Sequence, residues 1–267
     1  MLRITWETMK ERKWPVLIYS GASILLLWMY VALYPSMQAQ SQQLAEVLKS
    51  MPAGLMKALG ANTSEVNFTL EALLQTKQFG IVFQLLAGIL AISIAGNDLA
   101  DEVEKGTIEF LLSQPVSRFK LYFARFTSGT IWLTIFAAAS TLVVIPLAKI
   151  YNVAYVAESY YKLFFIAWLF TMAVYAVSYF FSAAFSSKSR VFGIGAGLLI
   201  VMYSAFLVSA LKDSLDKWKY ISFFHYFSPD LLTTGTIDKL GVWIFVATII
   251  ICTTIGAVVF NNRDIAI

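Results

Sequence analysis

The sequence predicts an all-α membrane protein, a single domain over residues 1–267 with six transmembrane helices. Three observations predict it. Hydrophobic residues make up 59% of the chain and charged residues only 13%, where soluble domains carry about a quarter charged. Mean hydropathy is +0.71. Six apolar runs, at roughly 15–35, 79–97, 122–147, 160–186, 190–211 and 241–260, each approach the ~20 residues that cross a bilayer as a helix.

Residues 1–14 carry Arg3, Lys10, Arg12 and Lys13, with Leu2, Trp6 and Met9 at helical spacing. This pattern predicts an interfacial helix on the inner leaflet, with Trp6 and Met9 on its membrane side. The alternative is an ordinary basic flank of the first span. The run from Val16 to Tyr34 is too long for the core of a cleaved signal peptide. Pro35 and Pro146 stand near span ends, where a missing N–H is cheap. Residues 38–60 repeat Leu44, Val47, Leu48, Met51, Leu55 and Leu59 and predict one or two amphipathic helices. Asn62-Thr63-Ser64 and Asn67-Phe68-Thr69 match a glycosylation sequon, a pattern that recurs by chance. Ser186 to Arg190 predicts a tight polar hairpin between spans 4 and 5. Gly193, Gly195 and Gly197 predict close helix packing in span 5. Residues 218–237, rich in Trp, Tyr and Phe around His225 and Pro229, read as an interfacial belt or short re-entrant helices between spans 5 and 6.

With both termini in the cytoplasm, the inner segments hold every arginine: Arg3, Arg12, Arg118, Arg125, Arg190 and Arg263. That matches the positive-inside bias and predicts a multi-pass protein of the inner or plasma membrane. Lys212, Lys217 and Lys219 fall outside. A net charge of +4 needs no nucleic-acid partner. The single cysteine, Cys252, cannot form an internal disulfide.

Catalytic sets are scarce. His225 is the only histidine, so a two-histidine zinc motif cannot be built. A membrane enzyme or protease would have to use His225 with Ser222, or the acids Asp101, Glu102 and Glu104, which read better as a solvated face of the 98–120 loop. No catalytic or metal-ligating residue is expected. The apolar runs hold almost no ionisable groups, unlike an ion-driven carrier. No phosphate-binding G-x-x-x-x-G-K-[ST] loop is present, so a primary transporter would need its ATPase on another chain. A scaffold without transport is the third reading.

Residues 98–120 are the densest block of charge. Gly106 can end one helical turn and Thr107 can cap a second, with Glu109 and Leu112 on an amphipathic surface helix. The run Asp101-Glu102-Val103-Glu104, then Gly106-Thr107-Ile108-Glu109-Phe110-Leu111-Leu112-Ser113-Gln114-Pro115-Val116-Ser117-Arg118, resembles the first cytoplasmic loop of bacterial ABC transporter permeases of the type-2 exporter family. Six spans, a basic N-terminal arm and a short tail at Arg263-Asp264 are similar too.

The resemblance implies a coupling helix between spans 2 and 3, docked in a groove of the ATPase, with Glu102, Glu104, Gly106, Thr107, Glu109 and Arg118 as contacts. It implies that residues 1–14 are the family's interface helix. It also implies two ABC ATPase subunits holding ATP and Mg, no cofactor on this chain, and a second permease subunit, identical or different. The outer segment 36–78 is longer than the family pattern, which leaves the substrate open.

Overall fold

The computed structural model describes residues 2–50, 69–108, 116–211 and 213–263. Among them lie six helices long and apolar enough to cross a membrane: Arg12–Gln40, Leu70–Asp98, Arg118–Ile150, Ala157–Ala184, Lys188–Ser209 and Lys239–Asn262, spans 1 to 6 below. No strand occurs among the described residues.

Spans 1, 2, 3 and 6 outlast their apolar runs at both ends, because a helix continues through a polar or charged residue wherever that residue finds a partner. Span 1 belongs to one helix, Leu2–Ser50, with Pro15 and Pro35 inside it. The N-terminal arm is therefore the first turns of that helix rather than a separate surface element. It packs on span 3, where Thr5 Oγ1 donates to Ala124 O at 3.2 Å and Trp132 Nε1 to Met9 O at 3.1 Å. The first helix also covers residues 38–50 of the expected amphipathic segment; residues 51–60 and both sequons lie outside or across the edge of the described set.

Span 2 runs through a π-helical stretch, Gln75–Val82, between Leu70–Leu74 and Phe83–Asp98. Span 3 loosens at Leu142–Val143 because Pro146 has no N–H for the Leu142 carbonyl. The Ile145 N–H takes that carbonyl instead, at 3.1 Å.

Span 4 is the centre of the bundle and packs against spans 2, 3, 5 and 6. Of its most apolar window 72% is buried, against 22% for spans 5 and 6. Its sequence fits that place: Ala167, Ala173, Ala176 and Ala183 admit close neighbours, while Tyr160, Phe170, Tyr175 and Tyr179 fill the space between them. The glycines of span 5 divide by face. A Cβ on Gly195 would meet Ile92 of span 2 at 3.0 Å, whereas Gly193 and Gly197 have nothing within 4 Å. Only the first makes the close packing expected of all three within the chain, since residues two apart point to opposite sides of a helix.

Beyond span 5 come a 3-10 helix, Asp213–Ile221, and two short helices, Phe223–Tyr226 and Leu231–Thr234. This matches short helices rather than a loop. Phe227 lies 5.7 Å from the Phe83 ring of span 2 and 5.2 Å from Phe170 of span 4. Thr233 donates to Gln75 Oε1 at 2.9 Å, and Lys162 Nζ to Gly235 O at 2.9 Å. The segment thus seats on spans 2 and 4 at the end opposite the 98–108 loop.

Candidate functional site: the charged root of the 98–118 loop

Span 2 ends at Asp98, and a short helix, Ala100–Glu104, follows at once. The last carbonyls of a helix have no partner within it and carry the negative end of its dipole. Two arginines from other spans supply the partners. Arg12 of span 1 donates to Asn97 O at 2.9 Å, reaches Ile94 O at 3.5 Å, and pairs with the Asp98 carboxylate. Arg125 of span 3 donates to Asp98 O at 2.9 Å and pairs with Glu102 Oε1 at 2.8 Å. From span 4, the Tyr175 hydroxyl donates to Asp98 Oδ2 at 2.8 Å. The Ser182 hydroxyl accepts from the Leu99 and Ala100 N–H groups at 3.3 and 3.0 Å. Glu104 closes the set, accepting from the Lys188 N–H at 2.8 Å. A carboxylate at the N-terminus of span 5 is favourable for the same reason that arginines are at the C-terminus of span 2.

The loop root is thereby tied to spans 1, 3, 4 and 5 as well as to span 2. Asp98 is fully buried, and the Arg12 side chain is 7% exposed. Such a pair is kept only where each charge also has hydrogen-bond partners, and here the Asn97 carbonyl and Tyr175 hydroxyl provide them. The Tyr175 ring has room because residue 129 of span 3 is glycine: a Cβ there would sit 2.2 Å from the Tyr175 hydroxyl.

The acids read as a solvated face, Asp101, Glu102 and Glu104, are each at least partly exposed, and two of them also bond to other spans. Asp101 pairs with Lys105 at 2.7 Å on the surface, as a solvated face should. Asp98 is buried, and Glu102 and Glu104 bond within the chain. The spans also carry more charge than apolar runs suggest: Arg12 and Asp98 lie on helices that continue past their runs, and Arg125 lies within the third run itself.

The other expected contacts divide. Gly106 is exposed at φ 71° and ends the Ala100–Glu104 helix, its N–H donating to Val103 O at 3.2 Å. A left-handed residue here favours glycine. Thr107 is exposed and its hydroxyl bonds back to the Glu102 carboxylate and carbonyl. Glu109, with the surface helix expected across it, lies outside the described residues, as does the side chain of Trp6. Met9 is half-buried at the contact with span 3.

Arg118 is the first residue of span 3 and turns toward the C-terminal tail, donating to Arg263 O at 2.6 Å and Asn261 O at 3.3 Å. Ser117 caps the same helix, its Oγ accepting from the Lys120 N–H at 3.4 Å. Arg263 in turn donates to Ala183 O and Phe185 O, each at 3.1 Å, and bonds Ser186 Oγ. Partial burial lowers its guanidinium pKa from the ordinary value, and the carbonyl acceptors offset that desolvation. Sequence reasoning missed Arg12, Arg125, Tyr175, Ser182 and Arg263. The one available signal was the gathering of arginines beside span ends.

At the opposite end, Ser222 caps the Phe223–Tyr226 helix, its Oγ accepting from the Phe224 N–H at 3.2 Å, and the His225 ring stands edge-on to Tyr220 at 5.5 Å. Both residues have packing roles there. His225→Ala should leave complex assembly and nucleotide-driven activity at the wild-type level, checked by ATP turnover of the assembled complex; loss of turnover would reinstate a chemical role.

No curated protein matches the chain at a significant level. The model of the ABC-2 family transporter proteins matches residues 10–265. That stretch takes in all six spans, the 98–118 loop and the Arg12, Asp98, Arg125 and Arg263 contacts. A multi-pass helical protein matched over nearly its whole length is a membrane permease of an ABC transporter, with the partnership to an ABC ATPase that this implies: the chain belongs to the ABC-2 transporter family.

Proposed function

We propose that the chain is the membrane-spanning subunit of an ATP-driven exporter, and that the 98–120 loop receives the force. The working unit has two ATPase subunits, which hold ATP and Mg, and a second permease subunit, identical or different. Both termini and the loop face the cytoplasm. ATP binding closes the ATPases, displaces the loop and alternates access between the two sides of the membrane. The mostly apolar spans suit a lipid-like or amphipathic cargo, with peptides and drugs within the same class of surface.

The observation that carries this reading is the root at Asp98. A loop held by side chains from spans 1, 3 and 4 and by the first backbone N–H of span 5 cannot be displaced alone; a push on it moves several spans together. Within the loop, Glu104, Gly106, Thr107 and Glu109 are the proposed docking positions. Glu102, held by the buried Arg125, and Arg118, turned to the C-terminal tail, act by positioning, whereas Glu104 and Thr107 stay exposed beside their own bonds within the chain.

Co-purification tests it. With the ATPase co-expressed, Glu104→Arg together with Glu109→Arg should abolish capture of the ATPase by the tagged permease, while the permease still elutes as a folded species. Assembly and ATP turnover at wild-type level in that double variant would contradict the docking role.

A further inference from the structure

Arg118 and Arg263 form a second set of contacts, separate from the Asp98 root. Span 6 ends at Asn262, and its final carbonyls lack helical partners. Arg118, at the start of span 3, supplies donors to Asn261 O and Arg263 O. Arg263, one residue beyond span 6, repeats the arrangement on span 4, which ends at Ala184. It donates to Ala183 O and Phe185 O and reaches Ser186 Oγ. Two guanidinium groups in series thus join the start of span 3 to the end of span 6, and the end of span 6 to the turn that leads into span 5. The planar guanidinium suits this work, since one group presents several donors in fixed directions and keeps its charge. A lysine ammonium has no such fork.

We propose that Arg118 and Arg263 are positioning residues of a second transmission path, which carries displacement of the 98–120 loop through the C-terminal tail to the span 4–span 5 turn. Asp98 links the front of the loop to spans 1, 3 and 4. Arg118, at the start of span 3, bonds the end of span 6 and the tail, and Arg263 bonds the end of span 4 and the turn before span 5. With both in place the loop moves the bundle as a unit; with Arg263 removed, the turn before span 5 no longer follows the loop through the tail. The proposal rests on the reading of the loop as the driven element.

The test uses the assembled complex in lipid nanodiscs, with Cys252→Ser as background. Spin labels go on Lys105→Cys in the loop or Ser189→Cys at the start of span 5, each measured against Lys149→Cys at the opposite end of span 3. Distances are recorded by pulsed electron resonance without nucleotide and with Mg-ATP and vanadate. In the otherwise native chain both distances should shift. With Arg263→Ala, the Lys105 distance should still shift and the Ser189 shift should fall to the smaller part that Glu104 carries through the Lys188 N–H; Arg118→Ala should do the same. Should Arg263→Ala fail to assemble, Arg263→Lys, which keeps the charge without the fork, is measured instead and should lose most of the Ser189 shift. A merely structural arginine would lower assembly and leave the nucleotide response of Ser189 intact, and that result would overturn the proposal. A Lys105 distance that ignores nucleotide in the native chain would count against the driven-loop reading itself.

Discussion

Replacing Asp98 with Asn should destabilise the permease by roughly 3–5 kcal/mol, the usual cost of leaving one member of a buried ion pair uncompensated. The substitution keeps an oxygen for the Tyr175 hydroxyl and nearly the same volume. It removes only the charge that faces Arg12, whose side chain is 7% exposed. Arg12 would keep its bonds to Asn97 O and Ile94 O, but carbonyl dipoles do not neutralise a buried cation. The companion variant is Arg12→Met, which removes the cation and leaves an apolar side chain of similar length. Combined with Asp98→Asn it should recover most of the loss, because the pair and not either residue carries the penalty. Thermal loss of the monodisperse peak in detergent, followed by fluorescence-detected size exclusion, measures all three variants. Additive losses in the double variant would show that the two charges do not act together.

Gly129→Ala should be the next most damaging change, at about 1–3 kcal/mol for overpacking a filled interior. The added methyl would meet the Tyr175 ring at 2.5 Å as well as its hydroxyl. That ring cannot yield freely, since it stacks on Phe126 at 5.2 Å and lies 5.4 Å from Tyr179. The strain therefore falls on the Tyr175–Asp98 hydrogen bond. In a Tyr175→Ala background the same glycine substitution should be nearly silent, because the ring it strikes is gone. An equal loss in both backgrounds would place the effect on helix backbone geometry rather than on Tyr175.

These two expectations share a physical cause. At this end of the bundle spans 2, 4 and 6 finish, so three sets of unpartnered carbonyls gather there, each at a negative dipole end. Arg12 and Arg125 serve span 2, Arg118 serves span 6, and Arg263 serves span 4. Glu104 serves the opposite polarity at the start of span 5. The gathering of arginines that a positive-inside reading takes as a sign of orientation is therefore also a set of helix caps.

The fold was legible because membrane spans announce themselves by length and hydropathy alone. Gly106 was legible too, since a glycine between a helical turn and Thr107 specifies a left-handed stop. The root of the loop was not. Arg12 and Asp98 are 86 positions apart, and nothing in either neighbourhood names the other. Asp98 stands in the same polar run as Asp101, three residues on, but the helix breaks at Leu99 between them, which leaves Asp98 inside and Asp101 at the surface. The contacts of Arg118 were hidden for a related reason: its motif marks the loop's end, while the direction of its side chain depends on a tail that begins more than 140 residues later.

Everything turns on which side of the membrane the loop faces. Lys105 is exposed on the loop, so Lys105→Cys in a Cys252→Ser background reports the side directly with a membrane-impermeant maleimide. The account predicts no labelling in intact cells and full labelling in inverted vesicles. Labelling from outside intact cells would contradict it, for no cytosolic ATPase could then reach the loop.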